Sequence, residues 1–370
     1  MTSCATRQCP SLTGHAPAEG WPQMCRGRLV GLVGCTALVA GALVSTALNI
    51  PAAAAVRTSI ERSAAGPAPG SIFVANDGSV GSRGSVTEYA VRASGNVHPV
   101  LTITRGVNVP WGLAFDASGD LWVANHLSDT VVEYKKSELA KASPTPSVIL
   151  SSGPDNALSM PAGLAFGSSG NLWVGNIRAN FVTEFTRAEL SKSGSPAPRV
   201  TITNASLFQV AGPYGLAVDP SGDLWVEGSP STSTDAVCEY PKAELTKPGP
   251  PAPRATISPG YQLWDFTFDS SGNLWVPEYS GNALAEYTKA ELTKSGSPPP
   301  HVTIAGSILS TPQDLAFDSS GDLWVLNNGD QAVVEYTKAE LAKSGSPTPA
   351  STIKGPATGL NNPSYFAIEP

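Results

Sequence analysis

Cysteine is nearly absent from most of this chain. Of the five cysteines, Cys4, Cys9, Cys25 and Cys35 precede the main body of the sequence, and only Cys238 lies within it. A single cysteine can form neither an internal disulfide bond nor a cysteine-based metal site. Because a sister repeat has valine at the equivalent position, we predict that Cys238 is a small core residue.

Charged residues and the motifs of common enzyme classes are also scarce. Only 14% of the 370 residues are charged, and the formal net charge is −7. Phosphate binding needs a basic face, so this balance argues against a nucleic-acid partner. The motifs GxxxxGK[ST], GxGxxG, HExxH and GxSxG are all absent. These absences favour a non-catalytic protein, which we expect to be a monomer.

The N-terminal region is typical of a targeting segment. Two arginines precede the uncharged, largely apolar residues 29–48, and alanines follow. A basic region, an apolar stretch and small residues together describe a secretory signal peptide. We therefore predict that residues 1–55 are a signal peptide cleaved near Ala55, that 56–70 are a flexible leader, and that the protein is secreted or lies in the cell envelope. The alternative is a retained anchor, since the apolar stretch is long enough to span a bilayer.

The rest of the chain, residues 71–370, repeats one short motif. "FDSSGDLWVLN" at 317–327 has four close copies, and "SIFVAN" at 71–76 is a weaker one. The first residues of the LWV-like triplets are Ile72, Leu121, Leu172, Leu224, Leu274 and Leu323. Intervals of roughly 50 residues are typical of solenoids and propellers.

Each repeat contains four strand candidates. In the copy at 312–353 they are "DLAFD", "DLWVL", "AVVEY" and "STI", and one helical turn is predicted between the third and the fourth. Four short antiparallel strands form a propeller blade, so the predicted fold class is all-β. The tryptophan of each LWV triplet is expected to pack between neighbouring sheets.

The ends of the repeat region predict how the ring closes. Residues 71–103 supply strands two to four of a blade without a first strand, and residues 363–370 match a first strand alone. Together they complete one blade by a one-plus-three closure. The sequence therefore predicts a six-bladed β-propeller.

The pattern P-x-G-L-A-F-D-x-S-G-x-L-W-V-x-N resembles the NHL-type repeat of six-bladed propellers. It is also similar to the wider group that holds the gluconolactonase/senescence-marker family and virginiamycin-B-lyase-like proteins. The resemblance implies ligands at the channel mouth, beside the starts of first strands and the ends of second strands. Lyase-like enzymes rely on histidine with acidic partners, and here only His126 is expected near that face. The gluconolactonase-like enzymes use acidic and asparagine ligands.

The repeats differ from one another at the expected mouth. Trp111, Tyr214 and Trp264 precede the glycine position of their first strands, and they predict a stacking platform for a sugar ring or a flat apolar ligand. The alternative is that these aromatic side chains plug the central channel. Asn125 and Asn176, at the ends of second strands, are assigned to the same ligand-binding site.

Acidic residues of the fourth and fifth complete repeats form a second candidate site. Asp265, Glu278 and Asp314, with Asn327 beside them, are expected to converge at the mouth. Carboxylates and an amide carbonyl are hard oxygen ligands suited to Ca²⁺ or Mg²⁺. The alternative is a polar rim of solvated acids.

Three functions follow from these features. The leading hypothesis is an exported, non-catalytic propeller that binds a ligand, or a protein or glycan partner, through the channel mouth. The second is a metal-dependent, lactonase-like hydrolase that uses the acids. The third is a structural protein of the cell envelope.

Overall fold

The computed structural model describes most of the repeat region. The described residues are 70–153, 157–204, 206–231, 234–246 and 251–370. The predicted signal peptide, the possible anchor and the leader up to residue 69 lie outside them. Within these ranges, no helix is both long enough and apolar enough to cross a membrane.

The predicted six-bladed propeller is confirmed. Six sheets contain four antiparallel strands each. The strands of the first three blades are β1 (Ile72–Asn76), β2 (Ser85–Tyr89), β3 (Leu101–Ile103), β4 (Pro110–Phe115), β5 (Leu121–Asn125), β6 (Thr130–Tyr134), β7 (Val148–Ser151), β8 (Pro161–Phe166), β9 (Leu172–Asn176), β10 (Phe181–Phe185) and β11 (Val200–Thr203). The remaining strands are β12 (Leu216–Val218), β13 (Leu224–Gly228), β14 (Ala236–Tyr240), β15 (Ala255–Ile257), β16 (Thr267–Phe268), β17 (Leu274–Glu278), β18 (Ala283–Tyr287), β19 (Val302–Ala305), β20 (Pro312–Phe317), β21 (Leu323–Asn327), β22 (Ala332–Tyr336), β23 (Ser351–Lys354) and β24 (Pro363–Ile368).

The ring closes as the sequence predicts. The last strand, β24, pairs antiparallel with β1 and completes blade one, with Tyr365 opposite Ala75 and Phe366 opposite Val74. Blades two to six follow in chain order, so the fourth and fifth complete repeats are blades five and six. Each blade has a mouth end, where its first strand begins and its second strand ends, and a hairpin end, where the turn joins those two strands.

Short helical turns lie between the third and fourth strands of several blades. They are the α-helix α1 (Lys136–Leu139) and the 3₁₀ helices Glu189–Ser191, Glu291–Thr293 and Glu340–Ala342. In blade three the Glu189 carboxylate accepts hydrogen bonds from the Thr186 backbone N–H (2.6 Å) and hydroxyl (2.8 Å). This local capping explains why T-x-A-E-L recurs in the repeats.

The D-x-S-G-D turn, present in blades two, four and six, has a direct structural cause. In blade two Asp116 Oδ1 accepts the backbone N–H groups of Ser118 (2.8 Å) and Asp120 (3.0 Å), and Gly119 has φ +76°. Asp116 Oδ2 also faces Trp122 Nε1 at 3.5 Å. One aspartate therefore orders the turn and orients the tryptophan.

The large aromatic side chains pack between neighbouring sheets, as predicted. The side chain of Trp122 is 1% exposed and Trp324 is fully buried. Their equivalents contact the last residue of the first strand in the next blade: Phe73–Phe115 at 5.3 Å, Trp122–Phe166 at 6.0 Å, Trp225–Phe268 at 5.5 Å and Trp275–Phe317 at 6.1 Å between ring centroids. The repeated motif thus joins each blade to the next. Cys238 is also buried, as expected for a core residue.

Candidate functional site

Glycines allow the first strands of neighbouring blades to approach closely around the channel. A Cβ at Gly112 would lie 1.9 Å from the carbonyl oxygen of Ala162. A Cβ at Gly163 would lie 2.3 Å from the carbonyl oxygen of Tyr214. No side chain fits at these positions, so glycine is required there for steric reasons.

The other half of the ring has side chains at the equivalent positions, namely Asp265, Asp314 and Tyr365. Gly215 shows how the two halves fit, because a Cβ there would lie 2.7 Å from Asp265 Oδ1. Gly215 therefore makes room for the Asp265 side chain, whereas a Cβ at Gly112 or Gly163 would meet a backbone carbonyl oxygen.

Tyr365 crosses the central channel. It belongs to blade one, is 2% exposed, and its hydroxyl donates to the carbonyl oxygen of Tyr214 in blade four at 3.1 Å. In a ring of six, blade four lies opposite blade one. Burial raises the pKa of Tyr365 well above its usual range, so the phenol stays neutral and donates this bond. Tyr365 thus closes the channel, the role that the plug hypothesis gave to the other aromatic residues.

The three predicted platform residues converge above Tyr365. The ring centroid of Trp111 lies 6.1 Å from Tyr214, 6.0 Å from Trp264 and 6.3 Å from Tyr365, and Tyr214 lies 4.9 Å from Trp264. Trp111, Tyr214 and Trp264 are each partly exposed. The cluster therefore leaves aromatic surface accessible at the mouth end.

His126 extends this aromatic cluster. Its ring stacks on Trp111 with a centroid distance of 4.0 Å and an interplanar angle of 10°. Burial lowers the pKa of His126 to about 4 and Arg178 lowers it further, against the opposing effects of a Pro161 backbone hydrogen bond and Asp129. The imidazole is therefore neutral at physiological pH and has an acceptor nitrogen available.

Three buried polar atoms around Trp111 have no hydrogen-bond partner. They are Trp111 Nε1, His126 Nδ1 and Asp77 Oδ1. Burial raises the pKa of Asp77 to about 6, while interactions with Ser364 and Trp111 lower it. The indole N–H thus lies near this carboxyl without completing a hydrogen bond to it. Buried polar groups are rarely left unpaired, so the presence of one unpaired donor and two unpaired acceptors in one place marks a candidate site.

Two of the predicted acids do interact. Asp314 Oδ1 and Oδ2 accept the backbone N–H groups of Leu315 (2.6 Å) and Phe366 (2.7 Å), and Asp265 Oδ1 accepts that of Phe266 (2.7 Å). Burial raises the pKa of Asp314 to about 7. Burial, followed by the charge of Asp314, raises the pKa of Asp265 well above its usual range. Burial and mutual repulsion therefore favour a proton shared by the pair at neutral pH.

Glu278 does not join them. It lies at the end of β17, where its charge raises the pKa values of Tyr261 and Tyr287. Among the described residues, groups of three carboxylates within 4.8 Å of one another lie at the hairpin ends of blades. Asp265, Glu278 and Asp314 do not form such a group. The expected convergence of Asp265, Glu278 and Asp314 is therefore not found.

Glu227 takes the place next to the acid pair, and sequence reasoning missed it. Its Oε2 accepts the backbone N–H groups of Tyr214 (3.0 Å) and Gly215 (3.4 Å), while its buried Oε1 has no partner. Burial raises its pKa well above the usual range. The signal was available, because the other repeats have small or apolar residues at this position: Ala75, Ala124, Gly175, Pro277 and Leu326.

The asparagines at the ends of second strands hold the loop that precedes the first strand. Asn125 Oδ1 accepts the Asn108 backbone N–H at 2.9 Å, and its Nδ2 donates to the carbonyl oxygen of Gly106 at 2.8 Å. Asn176 and Asn327 are fully buried and accept equivalent loop N–H groups at 2.8 Å and 3.2 Å. Both ends of each amide are hydrogen-bonded within the scaffold, and their assignment to a ligand or metal site stays a prediction.

Comparison with known proteins supports the fold alone. No protein-family profile and no curated protein sequence matches the chain. Among solved structures, it is similar to one from a nidogen/laminin complex, with 14% identity over 81% of this chain and 98% of that chain and a TM-score of 0.53. It is also similar to virginiamycin B lyase from Staphylococcus aureus, with 18% identity over 67% of this chain and 71% of that chain and a TM-score of 0.42. A third similar structure is regucalcin, a calcium-binding protein from Agrobacterium tumefaciens, with 17% identity over 64% of this chain and 74% of that chain and a TM-score of 0.44. The chain is thus a six-bladed propeller with NHL-like repeats.

Proposed function

We propose that this protein is an exported binding protein that holds a sugar ring at the mouth end of the propeller. The observation that carries this proposal is the position of Trp111. Its ring belongs to the partly exposed cluster with Tyr214 and Trp264, and its indole N–H lies beside the unpaired atoms of His126 and Asp77.

A sugar ring fits this combination better than a flat apolar ligand does. The C–H face of a sugar stacks on aromatic rings, and its hydroxyl groups both donate and accept hydrogen bonds. Trp111 Nε1 would donate to a hydroxyl oxygen, and His126 Nδ1 and Asp77 Oδ1 would accept hydroxyl protons. These atoms are buried in the free protein, so a sugar would reach them only after a side-chain movement at the cluster. An apolar ligand would offer them no hydrogen-bond partner at all.

Binding without catalysis follows from the state of the acids beneath the platform. Both oxygens of Asp314 accept backbone N–H groups, and Tyr365 lies between the platform and the far side of the channel. These groups serve as a rigid floor for the ligand. The raised pKa values of Asp265 and Asp314 support the lactonase-like alternative. A carboxyl pair that shares a proton can act as a general acid and base. In a metal-dependent form of this alternative the third carboxylate would be Glu227 rather than Glu278, because Glu227 lies next to the pair.

Export and the monomeric state are parts of the same proposal. N-terminal sequencing of protein from the culture medium is expected to begin near Val56. A mature product in the membrane fraction that still contains residues 29–48 would favour the anchor, and a dimer in light scattering would contradict the monomer.

The ligand proposal is tested with a panel of soluble oligosaccharides that covers the common α- and β-linked hexoses. Wild-type protein is expected to bind at least one class, with a change in tryptophan fluorescence. Trp111→Ala with Trp264→Ala is expected to weaken that binding at least about tenfold, or 1.4 kcal/mol. The matched control is Leu127→Ala, because Leu127 is 59% exposed beside His126 and takes no part in the ring cluster. No binding to any sugar, or unchanged affinity in the double variant, would contradict the proposal.

Lactone hydrolysis is measured on the same preparation with simple γ- and δ-lactones. The binding proposal expects no turnover above the spontaneous rate. Turnover that Asp265→Asn abolishes would replace it with the hydrolase.

A further inference from the structure

One position at the hairpin end supplies a cation to the acidic side chains of blades three and four. It immediately precedes the fourth strand, and its backbone N–H donates to the carbonyl oxygen of the third-strand glutamate in every blade. In blades one to six this position holds Val100, Ser147, Arg199, Arg254, His301 and Ala350. The repeats are otherwise closely similar here, so the differences in charge stand out.

Blade four shows what a cation does at this position. Asp219, Asp223 and Glu239 place carboxylate oxygens within 4.8 Å of one another. The Arg254 side chain binds two of them, since Nη2 donates to Asp223 Oδ2 at 3.0 Å and Nε donates to Glu239 Oε2 at 2.8 Å. A positive charge from the chain itself thus occupies the space among three acids.

In three further blades the glutamate has a donor or a cation of its own. These pairs are Ser71 with Glu88, Arg199 with Glu184 and Asn273 with Glu286. In blade five, Asn273 Nδ2 also donates to Asp269 Oδ2 at 2.9 Å. An N–H or O–H group therefore reaches the glutamate in each of these blades.

Blade two has the three acids without the arginine. Asp116, Asp120 and Glu133 each direct a carboxylate oxygen to within 4.8 Å of the other two, and Ser147 stands where blade four has Arg254. Glu133 is only 6% exposed, and its buried Oε2 has no hydrogen-bond partner. A buried, unpaired carboxylate oxygen on a side chain grouped with two other carboxylates is costly without a cation.

The surroundings leave room for an ion and its water. A cavity of about 330 Å³ between blades two and three is bordered by these acids, Phe166 and Arg187. Lys135 also lines this cavity. The three carboxylates therefore lie beside accessible space.

We propose that Asp116, Asp120 and Glu133 bind a calcium ion at the hairpin end of blade two, in the place that the guanidinium of Arg254 takes in blade four. Carboxylate oxygens are the hard ligands that calcium prefers, and water from the cavity would complete its coordination shell. Asp318, Asp322 and Glu335 of blade six form a more exposed version beside Ala350, which we expect to bind the ion more weakly. This site is distinct from the mouth end and does not depend on the proposed sugar.

The test replaces the proposed ion with an arginine. The full chain with Ala350→Arg, in which blade six carries its own cation, is freed of metal with a chelator and titrated with calcium chloride by calorimetry. One site is expected, with Kd below about 1 mM, the weak limit of protein calcium modules. Adding Ser147→Arg should abolish this binding while the thermal unfolding temperature in chelator stays the same or rises. Glu133→Gln should weaken the binding at least about tenfold.

The reverse substitution gives an independent measurement. Arg254→Ser removes the cation of blade four, so it should create a calcium site that the Ser147→Arg, Ala350→Arg double variant otherwise lacks. Terbium reports the same sites by luminescence on tryptophan excitation, because the indole of Trp122 contacts Asp116. The proposal would be overturned by equal calcium heats with and without Ser147→Arg, by no saturable binding below about 1 mM, or by the absence of a new site in Arg254→Ser.

Discussion

The two ends of the blades use the same repeat in opposite ways. At the hairpin end the D-x-S-G-D turn, the buried tryptophan and the third-strand glutamate recur, and their contacts join each blade to the next. At the mouth end the repeats diverge, and the divergent side chains contact one another across the ring. The comparison teaches that repetition marks the scaffold, whereas a position where one copy differs from the rest marks a candidate site. The predictions below test this distinction in order of expected effect.

Loss of the closing strand should have the largest effect, because both ends depend on a closed ring. Deletion of residues 362–370 removes β24 and exposes the edge of β1, together with the core contacts of Tyr365 and Phe366. We expect loss of cooperative thermal unfolding, or a decrease in stability of more than about 5 kcal/mol, a large share of a domain's total. An unfolding temperature equal to that of the full chain would contradict the closure.

Substitution of one tryptophan at each end of the blades compares the contributions of the scaffold and the mouth to stability. Trp122→Ala removes a ring that is 1% exposed between two sheets, so it should cost about 3–5 kcal/mol. Trp111→Ala removes a partly exposed ring and should cost about 1–2 kcal/mol, within the range of ordinary substitutions. Denaturant unfolding of both variants measures the difference. Equal costs would mean that Trp111 serves mainly as scaffold.

Arg254→Ser should expose the role of charge at the hairpin end. The variant leaves Asp223 and Glu239 without their cation, and we expect a loss of roughly 2 kcal/mol in chelator, less than for a fully buried pair because the arginine side chain is 55% exposed. Saturating calcium should restore part of this loss by binding the folded state. Sodium at equal ionic strength is the control, and an equal recovery in both salts would indicate screening alone.

The pH dependence of the mouth should show the smallest effect. The pKa of His126 is lowered to about 4 in the folded state, so the unfolded chain binds its proton first as the pH falls. His126 therefore contributes stability that is fully present above its unfolded pKa of about 6.5 and is lost as the pH falls towards about 4. Burial is the main cause of the lowered pKa of His126, while the opposite charges of Arg178 and Asp129 have smaller, opposing effects on it.

The matched variant for this effect is His126→Phe, which keeps a ring against Trp111 but cannot titrate. Between about pH 7 and about pH 5, the stability of wild type should fall relative to the variant by on the order of 2 kcal/mol. Thermal unfolding of both proteins across this range measures it. A constant difference at every pH would show that His126 titrates normally.

Much of the fold could be predicted because the same sequence pattern recurs in each blade. The turn aspartate of four blades, the tryptophan of five and the strand alternation act locally, so the repeats give several independent indications of one blade. The closure was predictable from the incomplete copies at the two ends. The mouth was harder, because its contacts join blades that lie far apart in sequence.

The acids at the mouth illustrate where sequence reasoning stops. Asp265 and Asp314 were paired correctly from their repeat positions, whereas Glu278 was expected where Glu227 lies. Glu227 is the fourth residue of β13 and Glu278 is the fifth residue of β17, so the two side chains lie on opposite faces of their sheets. Glu227 accepts the Tyr214 backbone N–H. The role of Tyr365 depends on a bond across the ring, which no local pattern contains.

The most direct test of separate tasks at the two ends is a crossed titration of wild type, Trp111→Ala and Ser147→Arg with the best oligosaccharide and with calcium. The account predicts that Trp111→Ala loses sugar affinity at least about tenfold and binds calcium as wild type does, whereas Ser147→Arg loses the blade-two calcium site and binds the sugar unchanged. A single variant that impairs both ligands, or Trp111→Ala with wild-type sugar affinity, would contradict it.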